Sequence, residues 1–260
     1  MTVNRKVNKY KSIVIGALLF ALFASVIINI VLFKELLTYY KLLYSSELDP
    51  LGLSYFQDTE TQASTGLPVV VFFGDSRAAQ WITPQTTGYT FINRGIGNQT
   101  SAQVANRFDA HIKPLHPQVV IIQVGINDLK TIPLFPERKQ EIIENCEANI
   151  QKIIQNSLDA NATVILTTIF PTSGNVPLTR RLVWSDDIYQ AIDEVNSFLR
   201  SLQNERVLVF DAANIISNTD GNTKLEYSLD LLHLNTNGYE TLNFELIKIL
   251  QSLQLTLKRK

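Results

Sequence analysis

Four short stretches of this 260-residue chain carry side chains that could together transfer an acyl group. Gly74-Asp75-Ser76-Arg77 places a serine directly after an apolar run. A serine hydroxyl becomes a useful nucleophile only when a neighbouring base takes its proton. Asp230-Leu231-Leu232-His233 could supply that base. A carboxylate three residues ahead of an imidazole can reach back to Nδ1, which fixes the tautomer and leaves Nε2 to accept the serine proton. Asn93-Arg94-Gly95-Ile96-Gly97-Asn98-Gln99-Thr100 holds two glycines that permit unusual backbone angles and close approach to a ligand. Gly125-Ile126-Asn127-Asp128 could aim the Asn127 amide at an oxyanion, with Asp128 capping backbone N–H groups of its turn. Each stretch also has an ordinary reading: a helix N-cap, a glycine-rich turn, an Asn-Asp cap, a structural histidine. His111 and His116 keep the structural reading, since neither has a fitting partner in the sequence and His116 precedes Pro117.

The elements around these stretches would bring them to one edge of a sheet. Short β-branched or aromatic runs occur at Val69–Phe73, Thr90–Asn93, Val119–Val124, Thr163–Ile169 and Val207–Phe210. Several are apolar throughout, as parallel strands buried on both faces tend to be. Helical patterns lie near Ser101–Ala110, Glu137–Ser157, Asp187–Leu202 and Asn237–Leu253. This alternation predicts a parallel sheet of five strands with helices on both sides. Ligands bind such sheets beyond the carboxyl ends of the strands, where three of the four stretches fall. Cys146, the single cysteine, shares the apolar stripe of Ile142, Ile143, Ile150, Ile153 and Ile154 and reads as a core residue. It leaves no internal disulfide and no cysteine-based metal site.

Taken in order, the blocks G-D-S-R, N-R-G-I-G-N-Q-T, G-I-N-D and D-L-L-H resemble those of the SGNH hydrolases, the GDSL lipase/esterase superfamily, over about Leu67 to Leu250. The resemblance implies a flavodoxin-like three-layer α/β/α sandwich that needs no metal or organic cofactor. It implies that Ser76 attacks an acyl carbonyl, that His233 acts as base and then acid, and that Asp230 orients His233. The oxyanion would be held by the Ser76 N–H, by an N–H from Gly97 or Asn98, and by the Asn127 side chain. One departure stands in the second block: Asn98 occupies a position that is glycine in many relatives. Asparagine tolerates left-handed backbone better than other non-glycine residues, so its N–H could still donate. Asn98-Gln99-Thr100 and Asn161-Ala162-Thr163 also match the glycosylation acceptor pattern, a triplet frequent by chance.

Ser12–Phe33 contains no charged residue. As a helix it would run about 33 Å, the thickness of a bilayer core. Arg5, Lys6, Lys9 and Lys11 precede it, while Lys34 and Lys41 follow amid acidic residues. The positive-inside bias places the N-terminus in the cytoplasm and the remainder outside. A cleaved signal peptide is the rival, but no small-x-small pair lies between Ile13 and Ser45. Lys34–Leu48 reads as a further helix or a continuation of the same one, and polar Asp58–Gly66 reads as a linker. The expected organisation is a basic cytoplasmic tail over 1–11, a transmembrane anchor over 12–33, a helical stalk and linker over 34–66, and an SGNH hydrolase domain over 67–260.

A net charge of −1 gives no basic field for nucleic acid. The expected activity is hydrolysis of acyl or O-acetyl esters of lipid or polysaccharide by a membrane-anchored serine hydrolase. An O-acyltransferase on glycans would pass the same acyl-serine to a sugar hydroxyl. A non-catalytic membrane-anchored binding or assembly protein would reuse the fold, though the joint presence of Ser76, His233, Asp230 and Asn127 argues against it. Metal-dependent hydrolysis would need a ligand cluster that the sequence does not offer. The segment Phe170–Asp186, with Arg180, Arg181 and Trp184, could cover the site and select substrate, or be a solvated loop.

Overall fold

The computed structural model describes residues 2–56 and 66–257, with side chains at 10–56 and 66–253. The expected linker, Gly66 apart, lies outside the described residues. Two compact units form, Met1–Pro50 and Leu51–Lys260. The second begins at Leu51, earlier than the Leu67 expected from the strand pattern.

The first unit is one helix, α1, Thr2–Leu48, of 47 residues. Nothing in it breaks the helical pattern before Pro50, whose ring disfavours helical backbone in the residue ahead. Lys34–Leu48 therefore continues the apolar segment. Leu18, Phe20, Phe23 and Leu32 all lie exposed along it. Asn29 donates its amide to Ser25 O at 2.8 Å, which satisfies a polar group within the helix. Among the described residues, Tyr10–Leu48 is the one helical stretch long and apolar enough to cross a membrane, a candidate span or signal sequence.

The second unit is a three-layer α/β/α sandwich. Its strands are β1 Val69–Gly74, β2 Thr90–Gly95, β3 Val119–Gln123, β4 Thr163–Thr167 and β5 Val207–Phe210. All pair in parallel in the order β2-β1-β3-β4-β5. The chain reverses its direction of travel across the sheet between β1 and β3, so a crevice opens at their carboxyl ends. Alternate side chains enter two cores. Val71, Phe73, Val120 and Ile122 pack with helix α2 (Lys139–Asp159) and helix α3 (Asp186–Ser201) on one face. Val70, Phe72, Val119 and Ile121 pack with Trp81 and helix α4 (Thr236–Leu257) on the other. Each fully buried side chain of this size contributes about 1.5–3 kcal/mol.

Two elements differ from the sequence expectation for local reasons. β4 stops at Thr167 because β5 ends at Phe210, which accepts from Thr168 N at 3.1 Å. Beyond it the Asn196 side chain replaces a neighbouring strand, accepting from Ile169 N at 2.6 Å and donating to Ile169 O at 2.9 Å. The helix expected over Ser101–Ala110 is split at Arg107 into Ser101–Asn106 and Phe108–His111. Arg107 turns its guanidinium inward, onto Gly74 O at 2.9 Å. Cys146 is fully buried on α2, and burial raises its thiol pKa well above the usual range.

Candidate active site

β1 delivers Ser76 to the crevice. A side-chain carbon at Gly74 would sit 1.8 Å from Gln123 O, so only glycine lets β1 turn this close to β3. Ser76 opens the short helix Ser76–Ala79, capped by Asp75, whose carboxylate accepts from Arg77 N at 2.8 Å. As the first residue of that helix, Ser76 has an N–H with no intrahelical acceptor.

Across the crevice, Ser76 Oγ lies 2.9 Å from His233 Nε2, and His233 Nδ1 lies 2.9 Å from Asp230 Oδ2. Asp230 also accepts from Leu232 N at 2.7 Å and His233 N at 2.8 Å. Partial burial pushes the Asp230 pKa up, but hydrogen bonds from the His233 ring and from the two backbone groups outweigh it and leave it below the usual carboxylate value. Asp230 therefore stays ionised beside the ring. The loop is closed by Leu229 N donating to His233 O at 2.9 Å and Ser228 Oγ donating to Asp230 O at 2.8 Å.

The glycine-rich loop and the Asn127 turn border the same opening. Asn127 is buried and donates Nδ2 to Gln99 O at 2.9 Å. Its Oδ1 accepts from Lys130 Nζ at 2.6 Å. An ammonium can only donate, so Lys130 fixes which end of the amide faces the glycine-rich loop. Gln99 O takes one of the two amide hydrogens. Asn98 adopts φ 63°, the left-handed backbone expected of it. Gly97 and Asn98 are exposed, and a carbon added at Gly97 would meet nothing within 4 Å. Asp128 takes a hydrogen bond from its own backbone N–H and also reaches beyond its turn. Its carboxylate accepts from Ser101 N at 2.8 Å and Ser101 Oγ at 2.7 Å, binding the third loop to the second.

The GDSL-like Lipase/Acylhydrolase family model matches residues 63–241. The chain belongs to this family. Membership supports hydrolysis of ester bonds as the reaction class. Solved structures carry the fold. A Bacteroides fragilis protein classed as an acylhydrolase is 24% identical, with TM-score 0.58, over 77% of this chain and 96% of that one. A GDSL-like lipase of Bacteroides thetaiotaomicron is 20% identical, with TM-score 0.56, over 71% and 88%. An inhibitor-bound aryl esterase of M. smegmatis is 19% identical, with TM-score 0.54, over 72% and 99%. None of the curated proteins matches the chain.

In this GDSL-like chain the charges beneath the serine are buried. Arg77 is 1% exposed and Asp75 0%. Burial pushes the Asp75 carboxyl up to about 6, against the pull of the Arg77 charge. Burial also draws the Arg77 guanidinium down to about 10, with Asp75 opposing. Arg77 donates Nε to Leu232 O at 2.9 Å and Nη1 to Phe170 O at 2.8 Å. The residue after the serine thus holds the residue before the histidine. Tyr239 donates its hydroxyl to Arg77 O at 2.9 Å.

Sequence reasoning missed Arg77, Gln99, Arg107 and Lys130. An arginine between a buried strand and the alanines of a short helix was the one available signal, for Arg77. His111 also gains partners that its sequence neighbours did not suggest. Its ring nitrogens lie 3.3 Å from Arg107 Nη1 and 3.3 Å from Leu53 O. His116 is exposed in a left-handed turn at φ 46°. Arg180 and Arg181 lie exposed in the 3₁₀ segment Leu178–Val183, and the field of Arg180 adds to the burial that lowers the Lys130 pKa.

Proposed function

We propose that the protein is a membrane-anchored serine hydrolase that cleaves carboxylic esters, acyl or O-acetyl, of lipid or polysaccharide through an acyl-serine intermediate. The hydrogen-bonded chain Ser76–His233–Asp230 carries this reading. Ser76 Oγ attacks the ester carbonyl as its proton passes to His233 Nε2. The C–O bond to the alcohol breaks, and the leaving alkoxide takes that proton. Water then attacks the acyl-serine with His233 again as base, which releases the acid and restores Ser76. Asp230 holds the imidazole and stabilises its charged form. The Ser76 N–H, an N–H of the Gly97–Asn98 turn and the Asn127 amide receive the developing oxyanion. No metal or organic cofactor takes part in these steps. Substrate partners are therefore glycan, lipid or other small-molecule esters.

The apolar helix supports anchoring through 12–33. The flanking charges support a cytoplasmic tail over 1–11 and an extracytoplasmic catalytic domain. Hydrolysis of p-nitrophenyl esters of graded acyl length by the full chain and by Ser76→Ala tests the reading. The expected result is turnover by the wild type alone, with a preference for one acyl length. Equal turnover by both would overturn it. Retention of the wild type in alkali-washed membranes tests the anchor, and release into the soluble fraction would refute it.

A further inference from the structure

The second compact unit opens with a segment that the reaction described above does not use, Leu51–Phe56. It packs on the glycine-rich loop at Arg94, Ile96 and Gln99. Gln99, 5% exposed, donates Nε2 to Leu51 O at 2.8 Å and accepts Arg107 Nε on Oε1 at 2.6 Å. Its backbone oxygen accepts the Asn127 amide at 2.9 Å. Arg107 in turn donates Nη2 to Gly74 O, two residues before Ser76. Gln99 therefore touches the opening segment and Asn127 directly, the nucleophile strand through Arg107, and the Gly97–Asn98 turn covalently.

The segment is shaped for this seat. Gly52 has φ +68°, and a carbon added there would lie 3.0 Å from Ile96 Cδ1 and 3.1 Å from Gln99 Nε2. A side chain would strain the backbone and press on the loop at once. Phe56 lies with its ring centre 4.5 Å from the Arg94 guanidinium carbon and edge-on to His111 at 5.2 Å. Arg94 is buried, and its Nε and Nη2 have no hydrogen-bond partner, so the Phe56 face is a principal electrostatic contact for that charge. Arg107 can only donate, so His111 Nδ1 accepts from it and His111 Nε2–H donates to Leu53 O.

We propose that Leu51–Phe56 is a brace that positions the oxyanion-binding loop, acting through Gln99 on the Gly97–Asn98 turn and on Asn127. The brace rests on the ester-hydrolase reading above. Its residues are positioning residues and touch no reacting atom. Oxyanion donors stabilise the transition state more than bound substrate, so loosening them lowers kcat and spares KM.

The test uses the full chain with Phe56→Ala, Phe56→Tyr and the milder Gly52→Ala. Three quantities are read: kcat and KM on an aryl ester, thermal melting, and amide hydrogen exchange across Ile96–Thr100. We expect Phe56→Ala and Gly52→Ala to lower kcat by about 10- to 100-fold, the range for a displacement approaching 1 Å, with KM within about threefold. Exchange should quicken at Ile96–Thr100 and stay unchanged in α2, and Phe56→Tyr should restore both readouts. Folded variants with kcat within about twofold of wild type and unchanged loop exchange would overturn the brace. So would kcat losses that only follow the unfolded fraction. If Phe56→Ala does not fold, Gly52→Ala decides alone. A wild type without ester turnover counts against the hydrolase reading, whereas the loop exchange still decides the brace.

Discussion

Replacing Arg77 probes how nucleophile and base are kept in register. Arg77 makes two charge-assisted hydrogen bonds in different directions, to Leu232 O and Phe170 O. Bonds of this kind contribute roughly 1.5–3 kcal/mol each, so Arg77→Met forfeits about 3–6 kcal/mol gross. Removing a buried charge works the other way. Burial draws the guanidinium from 12.5 to about 10, a strain of about 3 kcal/mol that methionine relieves. The net loss of stability is therefore about 0–3 kcal/mol, and the variant should fold. Activity should fall much further. Without the Leu232 tie, the 2.9 Å Ser76–His233 contact loses its second anchor. A displacement near 1 Å costs about 100-fold in kcat. Arg77→Lys keeps a charge for Asp75 but cannot span both carbonyls, so an intermediate loss of about 10-fold is expected. Steady-state kinetics on an aryl ester, read beside thermal melting, separate the two effects. A folded Arg77→Met with kcat within about twofold of wild type would show that Arg77 does not hold His233 in register with Ser76.

Asn127→Ala should lower kcat by about 100- to 1,000-fold with little change in KM, because the amide would serve the oxyanion and not the ground-state ester. Lys130→Met should cost about 10-fold by freeing the Asn127 amide to flip, and Lys130→Arg should recover part of that loss. Asp75→Asn reports on the buried pair through stability. The folded-state pKa of about 6 exceeds the ordinary 3.8, so the folded chain holds this proton more tightly than the unfolded one. That contribution is fully present below pH 3.8 and is lost as pH rises through 6. Chemical denaturation should therefore find wild type falling by about 3 kcal/mol relative to Asp75→Asn between about pH 4 and pH 7. A constant difference would contradict the assigned burial.

The strands and the candidate triad were legible because their signals are local. A β-branched run specifies a buried strand, and Asp230 stands three residues before His233, within reach along one turn of chain. Strand order is not local: the resemblance supplied the layered sandwich, and the order β2-β1-β3-β4-β5 came only with the structure. The missed residues act over long separations. Arg77 meets Leu232 across the sheet, and Gln99 meets Leu51 from a segment that reads as featureless stalk. Asp128 was expected to cap its own turn because the dipeptide Asn-Asp says so. The structure adds to that the N–H of Ser101 at the start of another helix. Arg107 was hidden inside an apparently continuous helical pattern, which its inward turn interrupts. Asn98 shows the opposite case: its place at a position that is glycine in many relatives, with asparagine's tolerance of left-handed backbone, agrees with its φ of 63°.

In the proposed reaction an acyl group passes through Ser76 with His233 as its base. A fluorophosphonate reacts only with an activated serine and stays attached, so the intact mass and the modified peptide report the nucleophile directly. One adduct per chain is expected, located on Ser76, absent in Ser76→Ala and at least about 100-fold slower in His233→Ala. An unlabelled wild type, an adduct on another serine, or a His233→Ala chain that labels at the wild-type rate would contradict it.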